Sequence, residues 1–173
     1  VYLRGTLRVA GSTADIGSGV ERVELFRDGE LVANSLPVSI TESGNYSLKV
    51  TDRSGLSSTV NINSIINTTS NDIIVDNDNP VISEVSGFTP DSNSGGVNWY
   101  KSAPELVYNV SDENIRSVVI SVNGEEYLRE SRTGTFTVDL SEYSRDTEVS
   151  IYTVDRIGNE SKRDFSLYID SAA

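Results

Sequence analysis

Glu42-Ser-Gly-Asn-Tyr-Ser-Leu-Lys-Val-Thr-Asp-Arg-Ser-Gly55 runs from one turn signal to another with a strand between them. Tyr46, Leu48 and Val50 share one face, and Ser47, Lys49 and Thr51 share the other, which is the period of a half-buried strand. A second copy, Asp146-Thr-Glu-Val-Ser-Ile-Tyr-Thr-Val-Asp-Arg-Ile-Gly158, ends 103 residues further on. Both copies close on an Asp-Arg-x-Gly turn. They read as the same central strand in two successive β-sandwiches, with Leu48 at the heart of one core and Ile151 at the heart of the other.

The neighbouring stretches repeat as well. Val20–Gly29 aligns without a gap to Ile115–Gly124, so Val23 and Leu25 match Val118 and Ile120. Asp28-Gly29 and Asn123-Gly124 fall at the same place, and both tolerate the positive φ of a type I′ hairpin turn. Asp15 precedes its strand much as Asp112 does. Residues 1–10, Leu36–Ile40 and Ser57–Ile66 read as further strands, and Gly11–Gly19 as a loop. No stretch keeps a helical period.

The boundary falls in Asn67–Pro80. Ile73–Val75 closes the first unit, and Asp76-Asn-Asp-Asn-Pro80 is the polar linker. The expected domains are residues 1–76 and 77–173. Tyr168-Ile-Asp-Ser171 echoes Ile74-Val-Asp-Asn77, as if Ala172-Ala173 led into a third unit. Val81–Ser102 has little counterpart in the first unit, which therefore lacks an opening strand or has lost one. The chain reads as a fragment of something longer, without a signal peptide.

The composition narrows the function. The 173 residues carry a net charge of −12, of which −3 falls in residues 1–76 and −9 in the rest. No basic cluster reverses this, so nucleic acid and anionic membranes are not expected partners. There is no cysteine and no histidine. Disulfides are thus excluded, and so are the commonest general base and zinc ligand. A cysteine-free chain rich in Ser, Thr, Asn and Gly suits a bacterial surface protein. No apolar run approaches the 18 residues of a membrane span.

Glu42-Ser-Gly-Asn-Tyr-Ser-Leu48 resembles the acidic-x-Gly-x-Tyr-x-Cys pattern of immunoglobulin domains, with Leu48 in the cysteine position. The resemblance implies that Tyr46 is a corner tyrosine bonded back to nearby backbone. Val149 stands at that place in the second unit. Val154-Asp-Arg-Ile-Gly-Asn159, Asn98-Trp-Tyr-Lys-Ser102 and the boundary forms are similar to bacterial extracellular Ig-like repeats. The resemblance spans nearly the whole chain. It implies an all-β fold of two tandem Ig-like sandwiches in a cell-surface or secreted protein. Such modules serve as stalks in adhesion, as binders of a host protein or glycan, or as accessory modules of secreted glycosidases.

Candidate sites are few. Asp76-Asn-Asp-Asn-Pro80 resembles the calcium linker of cadherins, and Asp15, Asp52 or Asp112 could approach it from loops. The plainer reading is a solvated linker, because the other acidic motifs of such a site are missing. No cofactor is therefore expected. Trp99 is expected in the core and Tyr100 nearer the surface as a possible platform for a ligand. Lys49, Lys101 and Lys162 are the only lysines, and none reads as buried beside an Asn for an isopeptide link. Glu125-Glu126 and Asp112-Glu113 are adjacent strand carboxylates pointing to opposite faces, so no acid–base pair and no enzyme is expected. Asn45, Asn67, Asn109 and Asn159 begin N-glycosylation triplets, coincidental in a bacterial protein. The leading expectation is a non-enzymatic spacer. A binder would use Tyr100 or the Arg129–Thr133 loop.

Overall fold

Alternation of apolar and polar residues imposes strands almost everywhere, and the computed structural model is all-β apart from one helical turn. It describes residues 2–66 and 73–171. By internal packing the chain divides into two compact units, Val1–Asn77 and Asp78–Ala173. The triplet at Asn67 and the pair Ala172-Ala173 lie outside the described residues.

The first unit contains β1 (Tyr2–Leu3), β2 (Leu7–Val9), β3 (Val20–Arg27), β4 (Glu30–Ala33), β5 (Val38–Ile40), β6 (Tyr46–Asp52), β7 (Ser57–Asn61), the turn α1 (Ile62–Ile65) and β8 (Ile74–Val75). Its main sheet has the order β4-β3-β6-β7, and β2 pairs antiparallel with β5. Asp28 and Gly29 take φ of 52° and 89°, which closes the β3–β4 hairpin as expected. The strand expected over residues 1–10 is split at Gly5, whose φ is 92°. The one expected at Leu36–Ile40 starts only at Val38, after a proline with no N–H to give. The strand expected to reach Ile66 ends at Asn61, where the chain coils and buries Ile62.

Leu25, Ile40, Tyr46, Ile62 and Ile73 are the buried apolar residues described in this unit. Leu48 is not at its heart. It faces inward but stays partly exposed, because the opposing β2–β5 sheet has two short strands among the described residues.

The second unit contains β9 (Val81–Ser86), β10 (Ser92–Ser94), β11 (Val97–Tyr100), β12 (Glu105–Ser111), β13 (Ile115–Val122), β14 (Glu125–Glu130), β15 (Gly134–Asp139), β16 (Arg145–Asp155) and β17 (Glu160–Ile169). A six-stranded sheet, β10-β11-β17-β16-β13-β14, faces a three-stranded one, β15-β12-β9. This is the immunoglobulin arrangement, with β13, β16 and β17 side by side on one sheet and β9, β12 and β15 on the other. Fifteen apolar residues are buried between them, so this core is much fuller than the first. Ile151 is fully buried at its centre.

The registers match between units. Leu25 lies opposite Leu48, as Ile120 lies opposite Ile151. A bulge falls between Val20 and Arg22 in one unit and between Ile115 and Ser117 in the other. The β3–β4 and β13–β14 hairpins also bulge alike, at Leu25/Phe26 and Ile120/Ser121. β1 pairs in parallel with β8, and β11 in parallel with β17. Tyr2–Leu3 is therefore the counterpart of Trp99–Tyr100, a correspondence too short to see in the sequence. β9 has no counterpart among the described residues.

Replacing Leu25 by Ala should lower the stability of the first unit by about 3 kcal/mol, and Leu48→Ala by roughly half that, since less of its side chain is buried. Urea denaturation would check this. Equal losses would place Leu48 back in the core.

Candidate functional site

The concentrated chemistry of this chain is carboxylate, and the structure shows where it is spent. Asp155 ends β16. Its Oδ1 accepts backbone N–H groups from Ile157, Gly158 and Asn159 at 2.6–2.8 Å, and its Oδ2 accepts the Asn159 amide at 2.7 Å. Asp52 ends β6 and accepts the N–H groups of Ser54 and Leu56, each at 2.9 Å. The repeated Asp-Arg-x-Gly is therefore a turn brace. The next residue continues it: Arg53 donates its N–H to the Gly19 carbonyl at 3.0 Å, and Arg156 to the Asn114 carbonyl at 2.9 Å. Each strand end is thereby tied to the loop leading into its neighbour.

Burial alone would raise the pKa of Asp155, but the hydrogen bonds from Asn159, Ile157 and Gly158 outweigh it and leave the carboxyl below the usual range. The Ser54 hydroxyl does the same for Asp52, with help from backbone N–H groups. Carboxylate oxygens of Asp112 and Asp155 lie within 4.8 Å of each other. Asp112 also accepts its own turn's N–H, from Asn114, at 2.7 Å. A cation at this pair would have to compete with bonds already made. Asp15 likewise accepts the Gly19 N–H at 2.7 Å.

The aromatic expectation is reversed. Tyr100, not Trp99, points into the core, and its hydroxyl donates to the Gly87 carbonyl at 2.9 Å. Burial, then the negative charges of Asp91 and Glu84, push its pKa up. Gly87 is required there, since a Cβ would meet the Glu105 carbonyl oxygen at 2.1 Å. Trp99 lies on the outer face against Tyr168, ring centroids 4.6 Å apart, and is only partly buried. Alternation makes the two residues opposite in facing. The parallel pairing of Tyr100 with buried Ile169 decides which one is inside.

Tyr46 is a corner tyrosine as expected, its hydroxyl donating to the Glu42 carbonyl at 2.8 Å. Val149 is buried at the equivalent place and supplies no hydroxyl. Lys101 and Lys162 are exposed and Lys49 is partly so. Lys162 pairs with Asp164 at 2.9 Å. Glu125 and Glu126 are exposed, and Glu126 pairs with Arg129 at 2.7 Å. In the Arg129–Thr133 loop, Arg132 pairs with Glu130 and lies 4.4 Å from the Phe136 ring centroid. Asn159 is buried, which removes it as a glycan acceptor. In the first unit a groove of about 470 Å³ lined by Gly11, Thr13, Arg22 and Ser35 opens to solvent. A smaller one, of about 230 Å³, runs over Leu25, Val38 and Tyr46.

Asp155→Ala should cost the second unit about 2–3 kcal/mol at pH 7. The folded pKa lies below the unfolded value of about 3.9. The carboxylate's contribution is therefore complete above the unfolded pKa and is lost as pH falls through the folded one. Denaturation curves of variant and parent should differ at pH 7, and the difference should shrink as pH falls below the unfolded pKa of about 3.9.

No protein-family model matches this sequence, and no curated protein does. Among solved structures, the chain is similar to the fibronectin(III)-like modules of Clostridium thermocellum CbhA, at 12% identity and a TM-score of 0.41, over 97% of this chain and 88% of that one. It is similar to the titin domains z1z2 in complex with telethonin, at 17% identity and a TM-score of 0.39, over 98% and 91%. It is also similar to the N-terminal eight Ig domains of Down Syndrome Cell Adhesion Molecule, at 10% identity and a TM-score of 0.48, over 98% of this chain and 23% of that one.

Proposed function

We propose that the chain is a non-enzymatic pair of tandem Ig-like sandwiches from a bacterial cell-surface or secreted protein, acting as a spacer in adhesion. One observation carries this: both units pair their central strands in the same register with a bulge at the same place. A module repeated in series is what a stalk is made of. Commitment of Asp52 and Asp155 to their own turns supports a structural role for the acidic motif rather than a catalytic one. The absence of cysteine fits the proposed origin. Neighbouring Ig-like domains of the same parent chain are the proposed partners. Binding of a host protein or glycan is the second reading, favoured by the exposed apolar side chains of the first unit.

Pulling the chain from its two ends should give two separate unfolding steps. They should release contour lengths near about 270 Å and about 340 Å, less each unit's folded span, at roughly 3.5 Å per residue. A single step releasing the whole length would contradict two independent modules. No cofactor is part of this proposal. Millimolar calcium should leave the melting temperature unchanged, and a rise of several degrees that is lost in Asp76→Asn/Asp78→Asn would instead put a cation at Asp76-Asn-Asp-Asn-Pro80.

A further inference from the structure

Trp99 is the only tryptophan of the chain, and it lies outside the core. β17 has β11 on one side, with Trp99 opposite Tyr168, and β16 on the other, with Asp146 opposite Tyr168. Thr147, Leu167 and Ile169 are buried, so by alternation Asp146, Glu148, Ser166 and Tyr168 face outward with Trp99. The outer face of the large sheet thus carries the row Trp99, Tyr168, Asp146, with Ser166 and Glu148 paired in the next row. A groove of about 350 Å³ lined by Asn123, Asp146, Glu148 and Ser166 opens beside it.

Each part of this surface limits what it can hold. The indole N–H of Trp99 is already used, donating to the Ser94 carbonyl at 3.4 Å, so the ring offers π surface rather than a donor. The Trp99 and Tyr168 rings are tilted by 47°, so they give no common plane for the flat face of a sugar chain. The carboxylates of Asp146 and Glu148 are exposed and have no hydrogen bond or ion pair among the described residues. Lys162, on the same face of β17, is taken by Asp164. Electron-rich rings beside free carboxylates, in a stretch whose net charge is −9, select a cation. Arginine fits better than lysine. Its planar guanidinium stacks on an aromatic face and gives a carboxylate two parallel N–H bonds, whereas an ammonium acts as a point charge.

We propose that this face binds an extended, arginine-bearing segment of a separate protein. One guanidinium sits against the Trp99–Tyr168 pair and on Asp146, and a second, two residues along the segment, sits on Glu148. Residues two apart in an extended chain are about 6.6 Å apart, which is also the spacing of Asp146 and Glu148 along β16. A second copy of this chain is disfavoured as the occupant, because two molecules of net charge −12 repel each other. This goes beyond the spacer proposal and stands whether or not that proposal holds, since a peptide site on one sheet face neither needs a stalk nor contradicts one.

As the only tryptophan, Trp99 reports the site by its own fluorescence. The full chain is titrated with a capped Ser-Arg-Ser-Arg-Ser peptide, and with the same peptide carrying lysine or uncharged citrulline in place of arginine. A saturable change in Trp99 emission is expected with the arginine peptide, binding at least threefold weaker with lysine, and no change with citrulline. Asp146→Asn combined with Glu148→Gln should weaken binding at least tenfold and leave the melting temperature unchanged, which separates lost charge from lost folding. No saturable change at millimolar peptide, equal binding of the lysine or citrulline peptide, undiminished binding by the double variant, tighter binding of a neutral glucose hexasaccharide, or a dimer of the unliganded chain that alters Trp99 emission would each overturn the proposal.

Discussion

Each unit depends on one carboxylate at the end of its central strand. Asp52 and Asp155 collect the backbone N–H groups of the turn that follows, groups with no ladder partner once the strand has stopped. With the turn held, the next N–H is aimed at the loop that opens the adjacent strand. That contact sits beside the bulge in both units, and from the bulge onward the two strands stay in step. A slip of one residue would turn Leu25 or Ile120 outward, so a turn only four residues long governs which side chains form the core.

The two units use this device with unequal results. In the second, β9 and a continuous ten-residue β17 close the sandwich around a full core. In the first, the last strand is interrupted. Asn61 pairs with Ser47 and Ile73 with Gly44, twelve residues apart, where the matching Asp164 and Leu167 are three apart. The extra residues begin with the helical turn that buries Ile62. The first sandwich thus gains a turn that buries Ile62 where the second has continuous strand. Two units with the same central register can therefore differ in how fully their described core residues are buried.

Turn chemistry was legible in the sequence because it is local. Asp28-Gly29, Asn123-Gly124 and the two Asp-Arg-x-Gly turns act through their own backbone, and Tyr46 reaches back only to Glu42. Features set by distant chain were not legible. Alternation shows that Trp99 and Tyr100 face opposite ways, but the pairing with β17, nearly seventy residues on, decides which is inside. Leu48 has the right phase for a core residue, yet its burial depends on how many strands the opposite sheet contains. The four-residue turn at Ile62 is too short to show a period. Asp52 stood among the residues that could approach a calcium linker in a linear reading, because spacing alone cannot show that its carboxylate accepts the N–H groups of its own turn.

Cross-strand proton contacts in solution test the shared register most directly. The account predicts nuclear Overhauser contacts placing Leu25 opposite Leu48 and Ile120 opposite Ile151, with the two-against-one pairing at Arg22 and at Ser117. Contacts shifted by one residue in either unit, or a bulge present in one and missing from the other, would contradict it.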